Sequence, residues 1–121
     1  MNTGEIIVLY KITPVPKPRQ TRADKWKQRP CVMRYRSFAD EERLHGIKLS
    51  PYGASVVFYM PMPKSWSKKK KEKMNGTGHQ QRPDVDNLCK SLLDAIFADD
   101  SHIWNITISK KWSEVGGIEI L

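Results

Sequence analysis

Asp84, Asp86, Lys90, Asp99 and Asp100 fall within one stretch of this 121-residue chain, PDVDNLCKSLLDAIFADD. Asp84 and Asp86 are two apart, so on an extended segment both carboxylates project to one side, where each can offer an oxygen to a hard divalent ion. Asp99 and Asp100 supply a second acidic pair further on. A fold that gathered three or four of these groups would suffer like-charge repulsion unless Mg²⁺ or Mn²⁺ stood among them. Such ions suit phosphodiester hydrolysis, because they polarise the phosphate and acidify an attacking water. Lys90, one helical turn after Asp86, would hold a substrate phosphate or stabilise charge in the transition state.

Each of these residues also has a plainer reading. Asp86 can be a helix cap, Asp99 and Asp100 a helix exit turn, and Lys90 the partner of Asp86 or Asp94 in a surface ion pair worth at most about 1 kcal/mol. A calcium loop is excluded: counted from Asp84, the sixth position is Cys89 and the twelfth Ala95, where such a loop needs Gly and Glu. His45, His79 and His102 share no metal-ligand spacing with one another or with Cys31 and Cys89. Two cysteines make neither a disulfide framework nor a zinc ribbon; both are expected reduced, with Cys89 a small core residue.

The element that must position this chemistry is a helix running from Asn87 to Phe97. Asp86 is its expected N-cap, Pro83 lies just outside, and Leu88, Leu92, Leu93, Ile96 and Phe97 form its apolar stripe. A shorter helix is expected between a capping box at Ser37 and Asp40 and a stop at Gly46. Strands are expected at Glu5 to Ile12, at Ser55 to Met60, and where Trp104, Ile106, Ile108 and Trp112 alternate with polar residues. Gly116 and Gly117 then suggest a hairpin that pairs Ile118 to Ile120 antiparallel with the preceding strand. The expected fold is α+β, a mixed sheet of about four strands with two helices on one face. A chain of this length is expected to form one domain, residues 1–121.

Charge is unevenly placed around these elements. The formal net charge is +8. Between residues 14 and 36, Lys17, Arg19, Arg22, Lys25, Lys27, Arg29, Arg34 and Arg36 face Asp24 alone. Between 64 and 82, Lys64, Lys68, Lys69, Lys70, Lys71, Lys73 and Arg82 face only Glu72, so two basic segments flank an acidic remainder. Both read as irregular loops, and with Trp26, Tyr35 and Trp66 among them they suit a nucleic acid, whose phosphates release counterions and whose bases stack on aromatic faces. A lysine run can equally be solvated surface. With 39% hydrophobic and 28% charged residues and no long apolar run, no membrane partner is expected. The start MNTGEIIVLYKIT carries no export signal, which leads to the expectation of a cytoplasmic, DNA-associated protein.

The string RPDVDNLCKSLLDAI followed by ADDSHI resembles the RusA family of Holliday-junction resolvases, in which a basic or Pro-containing approach leads into D-x-D-N-x-x-K, a helix and an acidic pair before a strand. The likeness is specific over residues 82 to 103, and PVPKPRQTR fits the family's layout more loosely. It implies a homodimeric, Mg²⁺-dependent endonuclease that nicks two opposed strands of a four-way DNA junction, of a kind often carried by phages. It further implies that Asp84 and Asp86 match the first two metal-binding aspartates, Lys90 the essential lysine and Asp100 the third aspartate, with Asp99 the first member of the acidic pair. The stretch from Lys90 to that pair is shorter here than in the family's best-known member.

That shortness makes closure tight. A helix from Asn87 to Phe97 rises about 16 Å, and the three steps to Asp100 return at most about 10 Å. Either the helix ends before Phe97, or Asp100 sits at the edge of the site, or it reaches the partner subunit; an early helix end is the favoured expectation. Two other functions share the sequence: a non-enzymatic basic nucleic-acid-binding module, and a nuclease acting on flaps, forks or single strands.

Overall fold

The computed structural model describes residues 8–16, 18, 30–44, 46–50, 52–97 and 99–121, without the side chains of 31, 32 and 42–44. The order of elements is β1 (Val8–Tyr10), α1 (Pro30–Leu44), β2 (Ala54–Pro61), α2 (Lys68–Met74), α3 (Val85–Ile96), β3 (Ile106–Ser113) and β4 (Gly117–Ile120). Four strands form one mixed sheet in the order β1-β4-β2-β3. The expected α+β class and the mixed four-stranded sheet are both present, with three helices instead of two.

β2 is the strand that organises the rest. Ala54, Val56, Phe58 and Met60 are buried while Ser55, Val57 and Tyr59 are half-buried, the period-two pattern of a strand with one face on the core. Phe38 of α1, Leu88 and Leu92 of α3, Trp112 of β3 and Ile118 and Ile120 of β4 pack with that face into one cluster. α1 meets α3 where the Tyr35 hydroxyl donates to the Ser91 carbonyl at 3.5 Å. Ser91 itself is fully buried, and its hydroxyl donates to the Val15 carbonyl at 2.6 Å, tying the chain after β1 to α3.

The expected terminal hairpin is absent. β3 pairs parallel with β2 along its whole length, from Ala54 opposite Ile106 to Pro61 opposite Ser113, whereas β4 lies on the other side of β2, antiparallel to it and to β1. The two glycines serve a close crossing instead of a tight turn: a Cβ on Gly116 would stand 2.8 Å from the Cα of Thr13. Beyond that crossing, Ile118 and Ile120 enter beside Phe58 and Val56, which gives them more buried contact than an edge position next to β3 would. The first strand is Val8–Tyr10; Glu5 to Ile7 lie outside the described residues.

Two stretches expected to be irregular are helical. α1 begins at Pro30, whose missing N–H costs nothing in the first turn, so Arg34, Arg36 and Ser37 are inside the helix and no capping box forms at Ser37. Gly46, at φ +63°, stands just past its end as expected. α2 carries the lysine run. Lysines crowd its first turn against the helix dipole, but Ser67 caps it by accepting the Lys70 amide at 3.1 Å, and half-buried Met74 anchors its last turn. No helix among the described residues is long and apolar enough to cross a membrane.

Candidate functional site

The approach to α3 is built on the free edge of β3. The Gly76 amide donates to the Trp112 carbonyl and the Trp112 amide to the Thr77 carbonyl, both at 2.9 Å, and the His79 amide donates to the Lys110 carbonyl at 3.0 Å. These bonds lay residues 76–79 alongside β3. The Lys110 ammonium then donates to the carbonyls of Gln81 and Pro83, the latter at 2.6 Å, and holds the turn that delivers Asp84.

Asp84, not Asp86, occupies the N-cap. Its φ of −68° and ψ of 148° are extended, and its carbonyl already accepts the Leu88 amide at 3.1 Å, so the helix starts two residues earlier than the sequence suggested. Its side chain makes no capping bond. An aspartate at this position ordinarily uses its carboxylate on the backbone; here that carboxylate is exposed and has no partner among the described residues. Asp86 stands exposed in the first turn, where the helix dipole favours a negative charge. Lys90 follows one turn later, also exposed, with no hydrogen bond or ion pair among the described residues. Arg82, Pro83, Asp84 and Asn87, with Pro16 opposite, line a cavity of about 460 Å³.

The two acidic-pair residues differ. Asp99 is exposed and accepts the Ser101 amide at 2.9 Å; that bond holds its carboxyl below the usual carboxylate range. Asp100 is half-buried. The Cys89 thiol is pushed up first by burial, then by the negative charges of Asp100 and Asp86. One thiol thus responds to carboxylates on both sides of it in sequence, one in the first turn of α3 and one after the helix end. The helix ends at Ile96, before Phe97 as favoured, though by a single residue. Seven residues from Cys89 to Ile96 span about 10 Å, which is the most that the three steps from Phe97 can return. By chain reach alone, Asp100 comes no further back along α3 than the level of Cys89. Among the described residues no three carboxylates, histidines or cysteines are gathered closely enough to hold a metal ion. Asp84 at the N-cap and Asp86 in the first turn are two exposed carboxylates at one end of α3, of the chemistry that suits a hard divalent ion. Cys89 is a free, half-buried thiol and not a core residue.

Of the basic residues, Lys68, Lys69 and Lys70 are exposed on α2, Lys71 is half-buried, and Arg82 is exposed at the cavity. Lys17, Arg19, Arg22, Lys25, Lys27 and Arg29, with Trp26, lie outside the described residues. Trp66 is packed under its own lysines: its ring is 4.7 Å from that of Trp112, and the Lys70 ammonium sits 4.3 Å above it. His79 is buried with its ring 4.2 Å from Trp112; burial, then the charge of Lys110, pushes its pKa below the ordinary imidazole value. Lys110 is the residue that sequence reasoning missed. The signal was a lysine on the apolar side of a period-two strand, between Ile108 and Trp112.

The family model for endodeoxyribonuclease RusA matches residues 10–121. A relative from Bacillus subtilis (strain 168), named "Uncharacterized protein YqaN", is 38% identical over 91 residues, which cover 69% of this chain and 64% of the relative. The chain thus spans a little under two thirds of that relative's length. No solved structure matches. With the family model running from the last residue of β1 through β4 and across the acidic start of α3, the chain belongs to the RusA endodeoxyribonuclease family.

Proposed function

We propose that the protein is a Mg²⁺-dependent, structure-selective endonuclease that resolves four-way DNA junctions by paired phosphodiester hydrolysis. The observation that carries this reading is the carboxylate of Asp84, unused at an N-cap, beside Asp86 and next to a cavity edged by Arg82. Asp84 and Asp86 would hold the ion, with Mn²⁺ a workable substitute, and Asp100 would complete the set. When bound, Mg²⁺ neutralises the carboxylates, polarises a phosphoryl oxygen and acidifies an attacking water.

The remaining steps belong to the chain's own residues. Lys90 donates to a non-bridging phosphate oxygen and steadies the charge that grows there as water attacks phosphorus and the bond to the leaving sugar oxygen breaks. Arg82 grips a neighbouring phosphate from the rim of the cavity. Lys68 to Lys71 on α2 hold a DNA arm through its phosphates, reading branched shape more than sequence, and Lys17, Arg19, Arg22, Lys25, Lys27 and Arg29 serve another arm. A four-way junction presents phosphates related by two-fold symmetry, so paired cuts need two sites in fixed relation, supplied by a homodimer.

The test uses a synthetic four-way junction with Mg²⁺ and the Asp84→Asn and Asp86→Asn variants. Cleavage lost with junction binding kept is the expected result. Cleavage at the wild-type rate by both variants overturns the assignment of these carboxylates, and a wild-type protein that binds the junction without cutting it leaves a basic DNA-binding module.

A further inference from the structure

Lys110 breaks the pattern of the strand that carries it. Ile106, Ile108 and Trp112 register with Ala54, Val56 and Met60 on the core side of the sheet, and Lys110 stands among them opposite Phe58, which is fully buried. Bringing an ammonium to such a face is costly unless it finds partners. The partners here are two backbone carbonyls, those of Gln81 and Pro83, and no carboxylate. Lys110 is half-buried, and an apolar side chain could complete the face without needing those partners. What the ammonium adds is therefore the geometry of the turn.

That turn is where the proposed chemistry is aimed. The two pinned carbonyls flank Arg82, and the second immediately precedes Asp84. The carbonyl of Lys110 also accepts the His79 amide, so one residue makes three bonds to the segment 79–83. Neither Arg82 nor Asp84 is fixed by its own side chain: both are exposed and neither has a hydrogen-bonding partner among the described residues. Their direction is set by the backbone that Lys110 holds.

We infer that Lys110 is a positioning residue for the endonuclease reaction: it clamps the Gln81 to Pro83 turn so that Asp84 and Arg82 face the cavity with the spacing the phosphate requires. The inference rests on the reading of Asp84 as a metal-holding carboxylate. It assigns Lys110 no contact with DNA.

The experiment compares wild type, Lys110→Met and Lys110→Arg on a synthetic four-way junction, each well below its own melting temperature, together with calorimetric titration of Mn²⁺ into the DNA-free protein. Lys110→Met is expected to lower kcat about 100-fold, the scale of an ångström-sized misplacement, while KM stays within about threefold. Its Mn²⁺ affinity is expected to fall about tenfold, as when support behind a metal ligand is lost. Lys110→Arg, which keeps charge and donors, is expected to recover most of both. A Lys110→Met protein with wild-type kcat and Mn²⁺ affinity overturns the inference even if it melts earlier, and so does a rise in KM alone. Should Lys110→Met fail to fold, Lys110→Gln retains a donor for one carbonyl: an intermediate kcat supports the clamp, and a wild-type kcat overturns it. A wild-type protein that cleaves no junction overturns the functional reading and this inference with it; wild-type cleavage with an unaffected Lys110→Met removes the inference alone.

Discussion

α2 and α3 begin alike and use their beginnings differently. Each has an extended residue with a side-chain oxygen at its N-cap, Ser67 in one and Asp84 in the other, and each follows it with charged residues. Ser67 bonds the Lys70 amide, as a seven-residue helix with lysines against its dipole and no buried residue requires. The Asp84 side chain makes no such bond. α3 does without the cap because Leu88, Ser91, Leu92 and Ala95 are buried against the sheet and α1, and because Lys110 holds the chain that leads in. Tertiary packing lets α3 stand without a side-chain cap and leaves Asp84 available for the proposed chemistry, while Ser67 works for its helix.

The largest effect that breaks this contrast is on catalysis. Asp84→Asn should cost junction cleavage about 1,000-fold, since a metal centre contributes several kcal/mol and each 1.36 kcal/mol is a factor of ten. It should shift the melting temperature by no more than the equivalent of about 0.5 kcal/mol, as for a surface change without a lost bond. A large drop in stability would show that Asp84 caps after all.

Next in size is the electrostatic hold of α2. If about eight phosphates are neutralised by the protein, log K against log salt has a slope near −7, and replacing Lys68 to Lys71 together by Gln should make it shallower by about 3 to 4. Cleavage of bound junction at saturation should be unchanged. Binding isotherms from low to moderate salt measure the slope, and an unaltered one would make the lysine run solvated surface.

This contrast also explains what could be read from the residues alone. The apolar stripe through Leu88 and Leu92 repeats at helical spacing, so α3 and its acidic entry were legible, as was β2 from its alternation. α2 was not: five lysines and a glutamate carry no apolar period, and the helix depends on a cap and on Trp66 packing against Trp112, a contact distant in sequence. The start of α1 was hidden because Pro30 to Arg36 is basic and its packing runs through Tyr35, Phe38 and Ala39 to elements far along the chain. The hairpin reading failed because two glycines before a strand signal a sharp change of direction without saying which neighbour the strand joins. Asp84 and Asp86 could be named from spacing, whereas where Asp100 stands depends on the path after Phe97.

Smaller effects sharpen the same comparison. Ser67→Ala should cost about 1 kcal/mol of α2 stability, read as loss of helical signal or faster amide exchange at Lys70 and Lys71, without touching kcat. His79 lies in the segment that joins α2 to the site, and burial, then the charge of Lys110, makes its pKa lower folded than unfolded. Its contribution is therefore fully present above the unfolded value near 6.5 and is lost as pH falls below it. The melting temperature should decline from pH 7.5 to 5.5, and less so in His79→Phe.

The central claim is that the carboxylates of Asp84 and Asp86 are kept free of the helix in order to hold a divalent ion. Anomalous diffraction from crystals of the protein soaked in Mn²⁺ tests it most directly. The account predicts a manganese peak bonded to oxygens of Asp84 and Asp86, absent from crystals of Asp84→Asn; a protein that cleaves junctions with Mn²⁺ yet shows no peak there, or shows the same peak in the variant, would contradict it.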